Sequence, residues 1–109
     1  MSTMSLQPAH LLQLLRKLVA DDPSQRALGA DESTDWPNSY APVDGRILAG
    51  VLAICAACES DPTALEAQLN AIIQLGGLAD EESVSYLKVL EGADLPDGLA
   101  DYVHDILHE

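Results

Sequence analysis

Residues 47–58 read ILAGVLAICAAC, twelve consecutive side chains with neither a charge nor a hydroxyl. A helix that is apolar on every side offers no face to water and must be enclosed by other elements or by lipid. At about 1.5 Å per residue the run covers roughly 18 Å, short of the roughly 20 residues that a membrane span requires. It therefore predicts the enclosed central helix of a small bundle. Asp44 is placed as its N-cap, with Gly45 and Arg46 in the first turn. Ala49, Gly50, Ala53, Ala56 and Ala57 are small enough for neighbouring helices to approach closely.

Reading outward from this run, Glu59-Ser60-Asp61-Pro62 closes it and opens the next helix, with Asp61 as cap and Pro62 at the first helical position. That helix is expected to turn Leu65, Leu69, Ile72 and Ile73 inward and Glu66, Gln68, Asn70 and Gln74 outward, and to stop at Gly76-Gly77. The two helices form an antiparallel hairpin with a very short turn. Before them, residues 6–20 read as a helix with Ser5 as N-cap, Pro8 in the first turn, and an apolar stripe of Leu11, Leu15 and Leu18 broadened by Leu12, Leu14 and Val19. Asp21-Asp22-Pro23 ends it. After them, Asp80-Glu81-Glu82 puts negative charge at a helix start, where the macrodipole favours it. Val84, Leu87 and Leu90 are its buried side and Gly92 its end. A last helix begins near Pro96, with Leu99, Tyr102, Val103 and Ile106 as its stripe.

Residues 21–44 show no clear period and contain Pro23, Gly29, Pro37 and Pro42, so they read as an irregular acidic loop with at most a helical turn at 24–28. No stretch reads as a strand. The fold class expected is all-α: a single domain, residues 1–109, built as a four- to five-helix antiparallel or orthogonal bundle around a central apolar helix.

Five basic residues stand against eighteen acidic ones, a net charge of −13. Such a surface repels phosphate backbones and anionic lipid, which argues against nucleic-acid and membrane partners, and it steers cationic proteins inward. The charge is uneven. From Glu59 onward there are twelve acids and one base, Lys88, whereas before Asp21 there are two bases, Arg16 and Lys17, and no acid. The simplest reading is solubility, and the functional one is a C-terminal half that faces a basic partner. The first residues have no positively charged stretch ahead of an apolar core, and Arg16 and Lys17 fall inside the leucine-rich run, which predicts a cytoplasmic protein. Two cysteines three positions apart fit a reducing compartment.

Few residues suggest chemistry. Cys55 and Cys58 with His104 and His108 make a C-x2-C and H-x3-H inventory, the donor set of a tetrahedral metal site. Yet the cysteines sit inside an alanine-rich helix, and the gap to His104 is far longer than in a zinc finger. Two small cysteines within a helix and two exposed imidazoles are the plainer reading, and no cofactor is expected. A redox role is opposed by Glu59 and Asp61 nearby, which raise rather than lower a thiol pKa. No glycine-rich phosphate loop, nucleophile elbow or acid/base pairing stands out, so the chain reads as non-catalytic.

Binding features are more legible. Asp35-Trp36-Pro37-Asn38-Ser39-Tyr40 carries two of the four aromatic residues in an acidic segment. Exposed, Trp36 and Tyr40 would form a rigid contact patch, and folded back, Trp36 would plug one end of the bundle. In the last helix Asp97, Asp101, His104 and His108 share one face, with Asp105 beside them: either an ordinary solvated face or an acidic ridge for a cationic partner. In length, charge, helical content and this aromatic-containing acidic segment, the chain resembles the small acidic immunity proteins that bacteria pair with nuclease or other polymorphic toxins. Helical immunity proteins against nuclease colicins carry a tandem-tyrosine acidic motif within a helical turn. Here Tyr40, Tyr86 and Tyr102 are scattered, so no residue role is carried over. The resemblance implies a protein that masks or inhibits a basic partner, such as a toxin. Asp35, Trp36, Tyr40, Asp97, Asp101 and Asp105 are the contact residues expected on physical grounds. Two alternatives stand beside it: a non-catalytic accessory subunit that forms a homodimer through Leu12 or Leu14 of the first helix, and a small metal-binding protein using the cysteines or histidines.

Overall fold

A computed structural model describes residues 8–35, 40–96 and 98–108. Among them are six α-helices and no strand: α1 (Pro8–Leu18), α2 (Pro23–Ser33), α3 (Pro42–Cys58), α4 (Pro62–Leu75), α5 (Glu81–Val84) and α6 (Leu99–His108). Short 3-10 segments follow α4 and α5, at Gly76–Leu78 and Ser85–Leu90. The fold is an all-α bundle, as the apolar periodicities require.

α3 is the hub, touching α1, α4, α5 and both 3-10 segments. Its inner row of Gly45, Leu48, Ala49, Leu52, Ala53 and Ala56 is buried. Small side chains in that row bring the neighbours close: a Cβ at Gly45 would stand 2.8 Å from Leu78 Cδ1. The helix is not enclosed on every side, however. Ile47 and Ile54 remain 44% and 43% exposed, and Cys58 is exposed as well. Its neighbours among the described residues cover one side of α3 and leave Val43, Ile47, Ile54 and Cys58 outside. The helix also starts earlier than expected, with Ala41 as N-cap and Pro42 in the first turn, so Asp44 favours the helix through the dipole and is not its cap.

Within 21–44, Pro23–Ser33 is a helix and α3 already begins at Pro42, contrary to the loop expected there. Asp22 caps α2 by accepting a hydrogen bond from Ser24 N at 2.9 Å, and Pro23 occupies the first turn. The helix lacks an apolar stripe because it buries small residues, Gly29, Ala30 and Ser33, against α1 and α4. The approach to α1 is backbone-close: a Cβ at Gly29 would meet Lys17 Cβ at 2.8 Å and Leu18 N at 3.1 Å. At the far end Tyr40 is buried, and its hydroxyl donates to Ser33 O at 2.8 Å, closing α2.

Elsewhere the apolar pattern holds with local corrections. Leu14 and Leu18 are buried in α1, and Leu11 and Leu15 pack at the core margin. Ser5 lies outside the described residues. α4 buries Leu65, Leu69 and Ile72 as expected, but Gln68 is fully buried rather than outward, and Ile73 is 42% exposed rather than inward. Val84, Leu87 and Leu90 are buried, although the segment is one α-turn followed by a 3-10 helix. Both helix starts at Asp61 and Asp80 are capped by the aspartate side chain, on Ala64 N and Ser83 N.

Two glycine-to-alanine substitutions separate packing from helix propensity. Gly29→Ala drives a methyl into the backbone of α1 and is expected to destabilise by about 1–3 kcal/mol. Gly50→Ala, where a Cβ meets nothing within 4 Å, is expected to stabilise by about 0.5–1 kcal/mol. Urea unfolding followed by circular dichroism reads both; equal shifts of one sign would contradict the packing described.

Candidate functional site

Two regions stand out. The first is a buried ionic node that the sequence did not signal. Glu59, the C-cap of α3, has a side chain 2% exposed and receives four hydrogen bonds. Arg26 Nε of α2 donates to its Oε1 and Arg26 Nη2 to its Oε2, each at 2.7 Å. Gln68 Nε2 of α4 adds a bond to Oε1 at 2.8 Å, and Asp61 N one to Oε2 at 3.1 Å. Arg26 Nη1 meanwhile donates to the carbonyls of Ala20 and Asp21, just beyond α1. One ion pair thus ties the end of α1, the start of α2, the end of α3 and the body of α4. The guanidinium bonds hold the Glu59 carboxyl well down, at about 2 against an ordinary 4.5, despite the opposing effect of burial. The same bonds raise the Arg26 pKa further. Gln68 Oε1 is buried without a partner, so this amide serves the node through its nitrogen alone.

Beside the node lies a cleft of about 390 Å³, lined by Val19 and Ala20 near the end of α1, by Ile54, Cys55 and Cys58 of α3, and by Arg26 and Glu59. Cys55 Sγ donates to Leu18 O at 3.4 Å, and burial, with Glu59 and Cys58 nearby, pushes its thiol pKa up. A raised pKa disfavours the thiolate form. No group of three or more His, Cys, Asp or Glu side chains among the described residues could hold a metal ion. Cys55 and Cys58 on α3 and His104 and His108 on α6 therefore do not converge on one centre.

The second region is the acidic C-terminal surface. All eight described acids after Asp61 are exposed: Glu66, Asp80, Glu81, Glu82, Glu91, Asp94, Asp101 and Asp105. On α6, Leu99 and Val103 face the core, which leaves Asp101 and Asp105 with His104 and His108 on the outer face. The imidazoles of His104 and His108 lie with centroids 4.7 Å apart, and His108 Nε2 is 2.7 Å from Glu91 Oε2. That contact joins the ridge on α6 to the 3-10 segment Ser85–Leu90, where Tyr86 is 52% and Val89 68% exposed. At 3-10 spacing these two side chains stand one above the other, a small apolar step within the acidic surface.

The expected contact residues divide accordingly. Asp101 and Asp105 share the ridge, and Asp35 is exposed near the end of α2. Trp36 and Asp97 lie outside the described residues. Tyr40 is not a surface aromatic: it is 6% exposed, and burial, with Asp35 close by, pushes its phenol pKa up to about 12. Tyr86 is the exposed aromatic that sequence reading passed over; its position between buried Val84 and Leu87 was the available signal. No helix among the described residues is long and apolar enough to cross a membrane. No family model, curated protein or solved structure matches this chain.

The node makes stability pH-dependent with a defined sign. Because the folded Glu59 pKa lies below its unfolded value, its contribution is complete above about pH 4.5 and is lost as pH falls toward about 2. Glu59→Gln is expected to destabilise by about 2 kcal/mol at pH 7, with the gap to the native chain closing across that window. Urea midpoints of both proteins from pH 7 to pH 2 test this; a gap that is constant with pH would contradict it.

Proposed function

We propose that this chain is a non-catalytic binding module that covers a basic protein partner, in the manner of the acidic immunity proteins it resembles. The observation that carries this reading is the exposure of every described acid beyond Asp61, with one base, Lys88, in the same half of the sequence. The ion pairs that involve Lys and Arg among the described residues, Lys17–Glu32 and Arg26–Glu59, lie in the other part of the fold. The C-terminal surface is left with a negative field that Lys88, and Arg46 near Asp80, offset only in small part. Such a field raises encounter rates with a cationic surface and discriminates against anionic ones. Holding the complex together is a separate task that favours a desolvated aromatic anchor. Tyr86 with Val89 supplies one, flanked by Glu82 and Glu91, while Asp101 and Asp105 supply the steering charge.

Division of labour gives the test. Affinity capture from the native host at low salt identifies the bound protein, which is then purified and measured by stopped-flow binding. The reading predicts a basic partner bound one to one. Reversing charge with Asp101→Lys and Asp105→Lys together lowers the association rate about tenfold or more at low salt and changes dissociation little. Tyr86→Ala speeds dissociation about thirtyfold and leaves association nearly unchanged. Capture of acidic proteins only, or of nothing at low salt, contradicts the reading.

A further inference from the structure

We infer that His104 and His108 on α6 form a two-imidazole chelate for a divalent late transition-metal ion, the class of Ni2+, Cu2+ and Zn2+, with Glu91 orienting His108. Among the described residues no group of three or more His, Cys, Asp or Glu side chains is arranged around a metal position, so the pair is a bidentate surface site whose other positions go to water. The cysteines of α3 take no part in it. The site is independent of the proposed basic partner, and either can fail without the other.

Helical spacing brings the rings together. Residues four apart lie one turn above each other, and a helical side chain leans back over the turn before its own Cα, so His108 reaches toward His104. The ring centroids are 4.7 Å apart, with the planes tilted by 35°. An ion held about 2.0–2.1 Å from one nitrogen of each ring, that nitrogen lying about 1.15 Å from its ring centre, sets the centres about 4.5 Å apart for bonds at a right angle and about 5.2 Å apart for tetrahedral bonds. The observed separation falls between these two values, and both side chains are exposed, so small rotations suffice to bring both rings onto one ion.

Glu91 decides which nitrogen of His108 is available. Its Oε2 lies 2.7 Å from His108 Nε2. An ionised carboxylate only accepts, so Nε2 carries the hydrogen and, in the neutral ring, Nδ1 keeps the lone pair. A carboxylate on the far nitrogen is the arrangement that orients metal-ligating histidines and makes them more basic ligands. Glu91 belongs to a different segment, directly after the 3-10 helix Ser85–Leu90, so helical periodicity in α6 does not account for the contact. Charge then favours a cation at this place. Asp101 and Asp105 are exposed three positions before His104 and His108, where helical neighbours sit, and the net charge is −13. Carboxylates alone favour Mg2+ or Ca2+, whereas imidazole suits the later transition ions, so the two histidines set the class of ion.

The test is isothermal titration of the full chain with NiCl2 in a buffer that does not itself bind the ion. The expected result is one Ni2+ per chain, held about tenfold or more tightly than by His104→Ala or His108→Ala, because a single imidazole loses the chelate. Glu91→Gln is expected to keep the stoichiometry and weaken binding about tenfold, the effect of removing an orienting carboxylate. Three controls assign the ion to this pair. His10→Ala, and Cys55→Ala together with Cys58→Ala, are expected to bind Ni2+ as the native chain does, and Mg2+ in about tenfold excess is expected not to displace it. His104, His108 and Glu91 are exposed, so their variants are expected to keep the native circular dichroism. Urea unfolding gives a second readout: saturating Ni2+ raises the midpoint of the native chain and leaves that of His104→Ala in place. A native chain that holds Ni2+ no more tightly than His104→Ala, binding that disappears with the cysteines, or displacement by Mg2+ overturns the proposal. An unchanged affinity in Glu91→Gln overturns the role given to Glu91.

Discussion

One carboxylate fixes the relation of four helices. Glu59 sits where α3 ends and α4 is about to begin, and all four of its accepting positions are used. Arg26 uses four of its five N–H groups in return, two on the carboxylate and two on carbonyls beyond α1. A charge this buried is tolerable only with near-complete pairing, and removing one partner strands the other. The chain cannot therefore slide α2 along α4, or lift the end of α1, without unmaking the whole set. Hydrophobic burial supplies the drive to collapse, but the uniform leucine and alanine surfaces of α3 and α4 would accept more than one register. The node selects one.

The same arrangement shapes the electrostatics. Arg26 and Lys17 are both engaged with acids, Arg26 on the buried Glu59 and Lys17 on the partly exposed Glu32. Two of the chain's five basic side chains are thus spent on architecture around α1 and α2. Among the described residues, the acids that follow Asp61 form no ion pair with Lys or Arg, and all eight described ones stay on the surface. The acidic face and the exposed apolar side chains of α3, Val43, Ile47 and Ile54, are consequently different surfaces.

Much of this was legible in the residues. The apolar run 47–58 announced the hub, Asp61-Pro62 and Gly76 bounded α4, and Val84, Leu87 and Leu90 marked a buried side before its 3-10 geometry was known. What was missed has physical reasons. Asp22-Pro23 is the same start signal as Asp61-Pro62, but α2 packs through Gly29, Ala30 and Ser33, and small residues leave no hydrophobic period to read. Gln68 looked solvent-facing because a polar side chain gives no hint of a distant carboxylate that needs its N–H. Tyr40 and Arg26 act through contacts with backbone and acids that no local pattern encodes. Ile47 and Ile54 looked enclosed because periodicity reports apolarity, not how many neighbours are present to cover it. On the outer face of α6, Asp101 followed directly from helical spacing and Asp105 was named with it as a contact candidate; Tyr86 was hidden among core residues.

The most direct test of the central claim is a double-mutant cycle at the node, with Arg26→Met, Glu59→Met and the double variant measured by urea unfolding at pH 7. If this pair sets the register of the bundle, the two single substitutions are strongly non-additive, with a coupling of about 2–3 kcal/mol, and the double variant recovers much of the loss. Additive effects, with a coupling below about 0.5 kcal/mol, would show that the helices find their places without it.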